Sequence, residues 1–374
     1  MSKKWKIKFA DWFLRRYVAK RGRFQDKATF DPGMQFANIV IYSTTALGDF
    51  MFNTPAIRAV RERYPDAHIT LVVHKKNQEL VENGRYFNRV VYWDSKFKSM
   101  GPLLKSLRQF EPDLALILHS HQPYDVISAV LAGAKYIIRD NYRNGICGLE
   151  PWLTNYVFDY YGHFIRRKLE LISILGCRTD DPSMEVPAPF PAGEKDPALC
   201  TIGFQLGAST ESRCWPVSHF ASLADQLAAQ HDNVRIVLIG APFDEGKAQQ
   251  FLQLVQDRTR ERVDNRIGKT GLRQLLTLLG SFELLVTGDT GPLHLAVALK
   301  VKTVSLFVTA DPRTTGPIQD LELHRIVHAS RSGYTLPLEA EGPMGVIQPQ
   351  RVYHEVVAHA NLLPAHREAG GDNA

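Results

Sequence analysis

The chain is poor in cysteine, with Cys147, Cys177, Cys200 and Cys214 among 374 residues. None falls in a CxxC or Cys/His ligand spacing, so neither a disulfide framework nor a zinc module organises this sequence, and scattered reduced thiols are expected. It also lacks any run approaching the ~18–20 consecutive apolar residues of a membrane span. Charged residues interrupt every apolar run in the first 30 positions, which argues against a cleavable signal. A cytoplasmic protein is therefore expected. Neither GxGxxG nor GxxxxGK[ST] occurs, which removes the main support for nicotinamide and P-loop readings.

Excess charge is missing from the body of the protein. The net charge is +6, but residues 1–27 hold ten Lys/Arg and two acids, a net of +8. The remainder holds 35 basic and 37 acidic side chains, a net of −2, so no nucleic-acid surface is implied. The basic segment has its own rhythm. Trp5, Phe9, Phe13 and Tyr17 recur every fourth residue, with Trp12 alongside. That spacing puts the rings on one face of a basic amphipathic helix suited to an anionic membrane surface through residues 3–23. The alternative to this favoured membrane contact is docking of those rings on the body or on a second subunit.

What is abundant is alternation. Short apolar runs at 38–43, 67–73, 89–93, 113–118, 199–205, 234–240, 282–288 and 302–307 are separated by helical patterns, which implies βαβ units and doubly wound parallel sheets. "FNTPAIRAVRERYP" reads as a helix with Pro55 near its start. Five prolines between Asp180 and Pro197 mark a linker. The expected organisation is a basic arm (1–30), a first Rossmann-like domain (36–180), a Pro-rich linker (181–198), a second Rossmann-like domain (199–347) and a C-terminal helix and tail (348–374). That last helix could cross back over the first domain. The two domains are expected to face each other across a cleft.

In such sheets ligands sit beyond the carboxyl ends of the strands, and four loops stand out there. In "STTALGDF" Gly48 reads as a residue that permits a conformation forbidden to others, and Asp49 as a general base or an early-turn helix acid. In "GASTESRCWP" Arg213, close to a helix start, suits a phosphate or is simply a surface arginine. In "GAPFDEGK" Asp244 and Glu245 could accept bonds from sugar hydroxyls or open a helix. In "TGDTGPLH" the residues Asp289, Thr290, Gly291 and Pro292 lead into a helix with His294 one turn inside. Free N–H groups there suit a phosphate or diphosphate, unless the segment is only a capped helix. "HSHQ" (119–122) follows a strand, but His119 and His121 have no third ligand nearby, so a structural or acceptor-contacting role is favoured over a metal site.

As an ordered set these loops resemble the bacterial heptosyltransferases, glycosyltransferase family 9. "IVIYSTTALGDFMFNTPAIRAVRERYPDAHITLVV" is similar to the family's opening. "SRCWPVSHFASLADQL" and "GAPFDEGK" are similar to two intermediate blocks, and "VTGDTGPLHLAVALKVKTVSLF" followed by "DPRTTGP" to its most specific block. The resemblance covers roughly residues 38–330. It implies the GT-B fold and a metal-independent, cofactor-free glycosyltransferase that inverts the anomeric carbon. The implied reaction moves a heptose from ADP-heptose to a lipid-linked lipopolysaccharide core acceptor at the cytoplasmic face of the inner membrane.

The resemblance implies Asp49 as catalytic base. It implies Arg213, where many members have Lys, as the contact to the donor phosphates. Asp244, Asp289, Thr290, Gly291 and His294 would hold the donor. Thr45, Gly48, His121 and Gln122 are candidates on the acceptor side. Another nucleotide sugar, or a non-catalytic nucleotide-sugar-binding assembly protein, are the alternative readings. The basic extension, Arg in place of Lys, and "FVTADP" without the usual glycine depart from the family pattern.

Overall fold

The computed structural model describes residues 3–140, 148–157, 160–329, 342–360 and 362. Cys147 lies outside them. The chain divides into two compact units at Pro189/Phe190.

Unit 1 is built on a six-stranded parallel sheet of β1 (Asn38–Ser43), β2 (His68–Val73), β3 (Arg89–Tyr92), β4 (Leu114–His119), β5 (Tyr136–Asp140) and β6 (Asn155–Val157), in the order β3-β2-β1-β4-β5-β6. Unit 2 repeats the plan with β7 (Cys200–Gln205), β8 (Val234–Ile239), β9 (Val263–Asn265), β10 (Leu284–Gly288), β11 (Lys302–Phe307) and β12 (His324–His328), in the order β12-β11-β10-β7-β8-β9. Each is a doubly wound sheet whose strand order reverses once, between β1 and β4 and between β7 and β10, and that reversal opens a crevice at the carboxyl edge. The central strands are apolar runs because helices cover both faces, leaving no solvated side.

Four strands are absent from the apolar-run pattern. β6 and β9 have three residues each, and β12 is half exposed. β5, "YIIRD", ends in charges that are fully buried. Arg139 pairs with Asp125 at 2.8 Å, and Asp140 pairs with both Arg167 and Lys168. These are paired ions inside a protein. Removing one partner of such a group typically costs about 3–5 kcal/mol.

The helix Leu47–Arg63 begins five residues before the predicted one, so Pro55 lies in its interior. Proline cannot donate to the carbonyl four residues back. Here the Thr54 hydroxyl donates to Met51 O at 2.8 Å, which satisfies the carbonyl that Pro55 leaves open.

The Pro-rich segment is packed along most of its length. Arg58 binds Asp181 and Glu185 at 2.8 and 2.6 Å, and Ala188 N donates to Leu80 O at 3.1 Å, all within unit 1. Beyond the division, Thr277 Oγ1 donates to Pro191 O at 3.0 Å within unit 2. The C-terminal helix Pro349–Ala360 packs its buried Val352, Tyr353 and Val356 into the core of unit 2. Cys177, Cys200 and Cys214 are buried free thiols. Among the described residues no helix is long and apolar enough to cross a membrane.

The N-terminal helix Lys3–Arg21 docks on unit 1 through Ile7, Ala10 and Leu14, which join its core, while Trp152 Nε1 donates to Asp11 at 2.9 Å. Trp5, Phe9, Trp12 and Phe13 point away from that core and stay exposed. Tyr17 departs from the expected aromatic stripe and packs against the core. The helix is thus apolar on two opposite faces and not on one.

One buried histidine makes stability depend on pH. His324 meets Thr303 Oγ1 at 2.9 Å, and burial pushes its pKa from 6.5 down to about 4. The unfolded chain therefore binds a proton that the folded chain refuses, so stability is full above pH 6.5 and falls as pH drops towards 4. The loss from this group by pH 4 is on the order of 3 kcal/mol. Urea midpoints measured across this range should fall less steeply in His324→Gln than in the wild type. Parallel curves would remove His324 as the cause.

Candidate functional site

In unit 1, Asp49 stands in the first turn of the helix that follows β1, and His119 ends β4. The two strands are neighbours at the order reversal, so both side chains reach the same crevice. His119 Nδ1 lies 3.4 Å from Asp49 Oδ1. Burial works against ionisation of Asp49. Its carboxyl is nevertheless held below the ordinary range by the bond and charge of His119, with smaller help from Thr45 and Lys168. The helix start favours the same ionised form.

Beneath this pair lies a cavity of about 10 Å³, room for one water, lined by Asp49, Phe52, His119, Asp140, Phe164, Arg167 and Lys168. Lys168 is anchored by Asp140 and donates to Leu118 O at 2.6 Å. Burial lowers its pKa, and Asp140 opposes that shift. An ionised carboxylate over a fixed cationic floor can take a proton from a neighbouring hydroxyl.

Gly48 lies inside the helix Leu47–Arg63 and is not among the glycines of positive φ, so the special conformation expected of it is not adopted. Thr45 precedes that helix, half-buried. His121 is exposed, and Gln122 enters a cis peptide with Pro123, its Oε1 buried without a hydrogen-bond partner. His119, weighed from sequence as structural or acceptor-contacting, is the neighbour of Asp49. Strand order alone carries that information, since nothing local in "HSHQ" points to Asp49. Arg167 and Lys168 carry no sequence signal either, being two charges in an ordinary helix.

In unit 2 the loops after β7 and β10 meet at the equivalent crevice. Arg213 Nη1 lies 3.5 Å from Asp289 Oδ2, and His294 Nε2 lies 3.7 Å from Asp289 Oδ1. Asp289 is thus bracketed by two basic groups, with Arg213 itself 42% exposed. Gly291 and Pro292 open the helix Gly291–Ala298, and Thr290 is its N-cap residue but makes no side-chain cap. Its hydroxyl turns instead to Thr287 at 2.9 Å. A side-chain-capped helix is therefore not what this segment is. The first-turn amides, the Arg213 guanidinium and the helix dipole favour an anion here.

Asp244 takes the helix-opening position weighed for it, at the N-cap of Glu245–Leu254. It is buried, accepts from Ala241 N at 3.0 Å, and is held against Gly207, where an added Cβ would meet its carboxylate at 2.1 Å. Burial raises its pKa. The acid closes a turn beside the loop that carries Arg213.

A family model described as glycosyltransferase family 9 (heptosyltransferase) matches residues 103–333, more than half of the chain. The chain belongs to glycosyltransferase family 9. This family 9 protein is 25% identical over 346 residues to lipooligosaccharide heptosyltransferase 2 of Campylobacter jejuni, spanning 87% of this chain and 98% of the relative. The structure of E. coli ADP-heptose lps heptosyltransferase II matches at a TM-score of 0.69 and 22% identity, covering 88% of this chain and 99% of that one. E. coli heptosyltransferase WaaC with ADP-2-deoxy-2-fluoro heptose matches at 0.65 and 18% identity, covering 86% and 99%. At these identities the structural likeness shows the fold: two parallel six-stranded sheets with flanking helices, as in the GT-B structures of heptosyltransferases. The family 9 chain is a glycosyltransferase.

Proposed function

We propose that this family 9 protein transfers a heptose from ADP-heptose to a hydroxyl of a lipopolysaccharide core acceptor, with inversion and without a catalytic metal. The observation that carries the reading is Asp49, kept ionised by His119 at the carboxyl-edge crevice of unit 1. As the acceptor oxygen attacks the anomeric carbon, its proton passes to Asp49. The bond from that carbon to the diphosphate breaks, and ADP leaves with the electron pair. Arg213 and the amides opening Gly291–Ala298 take the growing charge, as fixed donors aimed at a leaving group do. Asp289, held between Arg213 and His294, accepts from donor hydroxyls. The lipid anchor of such an acceptor places the work at the cytoplasmic face of the inner membrane. The donor assignment draws on the similar WaaC structure, which was solved with an ADP-heptose analogue.

A panel of ADP-, UDP-, GDP- and TDP-sugars tests this. Only ADP-heptose should both raise the melting temperature and support transfer. The product should carry the opposite anomeric configuration, and EDTA should leave the rate unchanged. Transfer from another nucleotide sugar would overturn the donor, and ligand binding with no transfer to any glycolipid would overturn the enzyme.

A further inference from the structure

The N-terminal helix has a fixed seat on unit 1. The C-terminal end of the helix lies at the amino edge of the unit 1 sheet. Arg23 pairs with Glu111 at 3.1 Å, and Gln25 N donates to Lys135 O at 2.9 Å, just before β4 and β5 begin. From there the helix packs along Tyr124–Ala132, which itself descends from the carboxyl edge to Gly133, beside Arg23. The earlier turns are fixed by Ile7 against Gly148 and by Trp152, which leads into β6, at Asp11. Trp5, Phe9 and Trp12 are thereby held on the surface of unit 1, the unit that carries Asp49.

These rings form a continuous apolar strip. Trp5 and Phe9 stack at 5.5 Å, Phe9 and Trp12 lie 5.8 Å apart, and Arg16 covers Trp12 at 5.7 Å. Trp5, Phe9 and Trp12 are 51, 49 and 55% exposed. Lys8, Arg15, Arg16 and Lys20 are exposed around them. Two such faces would repel each other in a self-association, given the net of +8 on residues 1–27. Aromatic rings amid basic side chains suit the headgroup level of an anionic bilayer.

We propose that this pre-docked helix face seats unit 1 on an anionic lipid surface, so that a lipid-anchored acceptor meets the enzyme at the bilayer. The inference rests on the glycosyltransferase reading only for the identity of the acceptor. Because Ile7, Ala10 and Leu14 hold the opposite face in the core, the helix binds lipid without leaving the fold.

The test uses the full chain and its Trp5→Ser/Phe9→Ser/Trp12→Ser triple variant, checked for an unchanged melting temperature. Wild type should sediment with phosphatidylglycerol-containing vesicles and not with pure phosphatidylcholine, and the triple variant should bind at least tenfold more weakly. Turnover of an acceptor embedded in those vesicles should fall in proportion, while turnover of the same acceptor deacylated and free in solution should be unchanged. Equal vesicle binding by both proteins, or a dimer in ultracentrifugation that the variant breaks with no vesicle binding, overturns the proposal. An equal loss on both acceptors overturns the delivery role. Should neither acceptor turn over with wild type, the function fails, and vesicle binding still decides the lipid face. A charge-reversed Lys8→Glu/Arg15→Glu variant gives the second reading. It should lose binding to anionic vesicles, and retained binding would refute the electrostatic half.

Discussion

Asp49→Asn lowers kcat for heptose transfer by about a thousandfold, within the ~10²–10⁴ range of a positioned general base, with little change in donor KM. Asparagine has nearly the same shape and keeps a hydrogen-bonding group near His119, so the fold and the crevice survive while proton acceptance is lost. The pH profile adds a second readout. Because His119 holds the Asp49 carboxyl below the ordinary range, the acid limb of kcat/KM lies low in the wild type. In His119→Ala the limb moves to higher pH, since burial, which disfavours the ionised form, is then less opposed. A purely structural histidine would change rate or stability without moving the limb. Turnover by Asp49→Asn at the wild-type rate would remove the base from the mechanism.

Arg213→Ala lowers kcat/KM by ~10²–10³, the usual cost of losing a donor that stabilises developing charge. The loss falls mainly on kcat, because the diphosphate gains charge only as its bond to the sugar breaks. Arg213→Lys recovers much of the rate by restoring the charge, but not all, since an ammonium lacks the planar fork. Removal of Arg213 also strips Asp289 of one of its two basic neighbours, leaving His294 at 3.7 Å. The alanine variant therefore binds the free sugar part of the donor less selectively as well. Steady-state kinetics with ADP-heptose, paired with ADP product inhibition, separate these effects. Weaker ADP inhibition together with lower kcat is expected. An unchanged Ki for ADP would place the diphosphate elsewhere.

Much of the architecture was legible because doubly wound strands are buried on both faces and appear as apolar runs. β1, at 38–43, and β11, at 302–307, are found at the predicted bounds. β5 was not legible, because its last two residues are a buried arginine and aspartate whose partners, Asp125, Arg167 and Lys168, lie elsewhere in the chain. Periodicity treats those charges as surface. The start of the helix carrying Asp49 was placed too late because Pro55 is a strong breaker signal, and the compensating hydroxyl of Thr54 is visible only in three dimensions. Asp244 was legible as a helix-opening acid, whereas its folding over Gly207 depends on a turn that no local pattern reveals.

By itself the sequence determined the alternation of strands and helices, the loops at the strand ends and the concentration of positive charge in the first 27 residues. All three are local, set by which residue types fall at which spacing. Only the tertiary structure decided that His119 stands beside Asp49, that Arg213 stands beside Asp289, and that the N-terminal helix turns its aliphatic stripe inward and its tryptophans outward. Each of those depends on the order in which strands pair across a sheet or on what an element packs against, and neither leaves a mark within the segment itself.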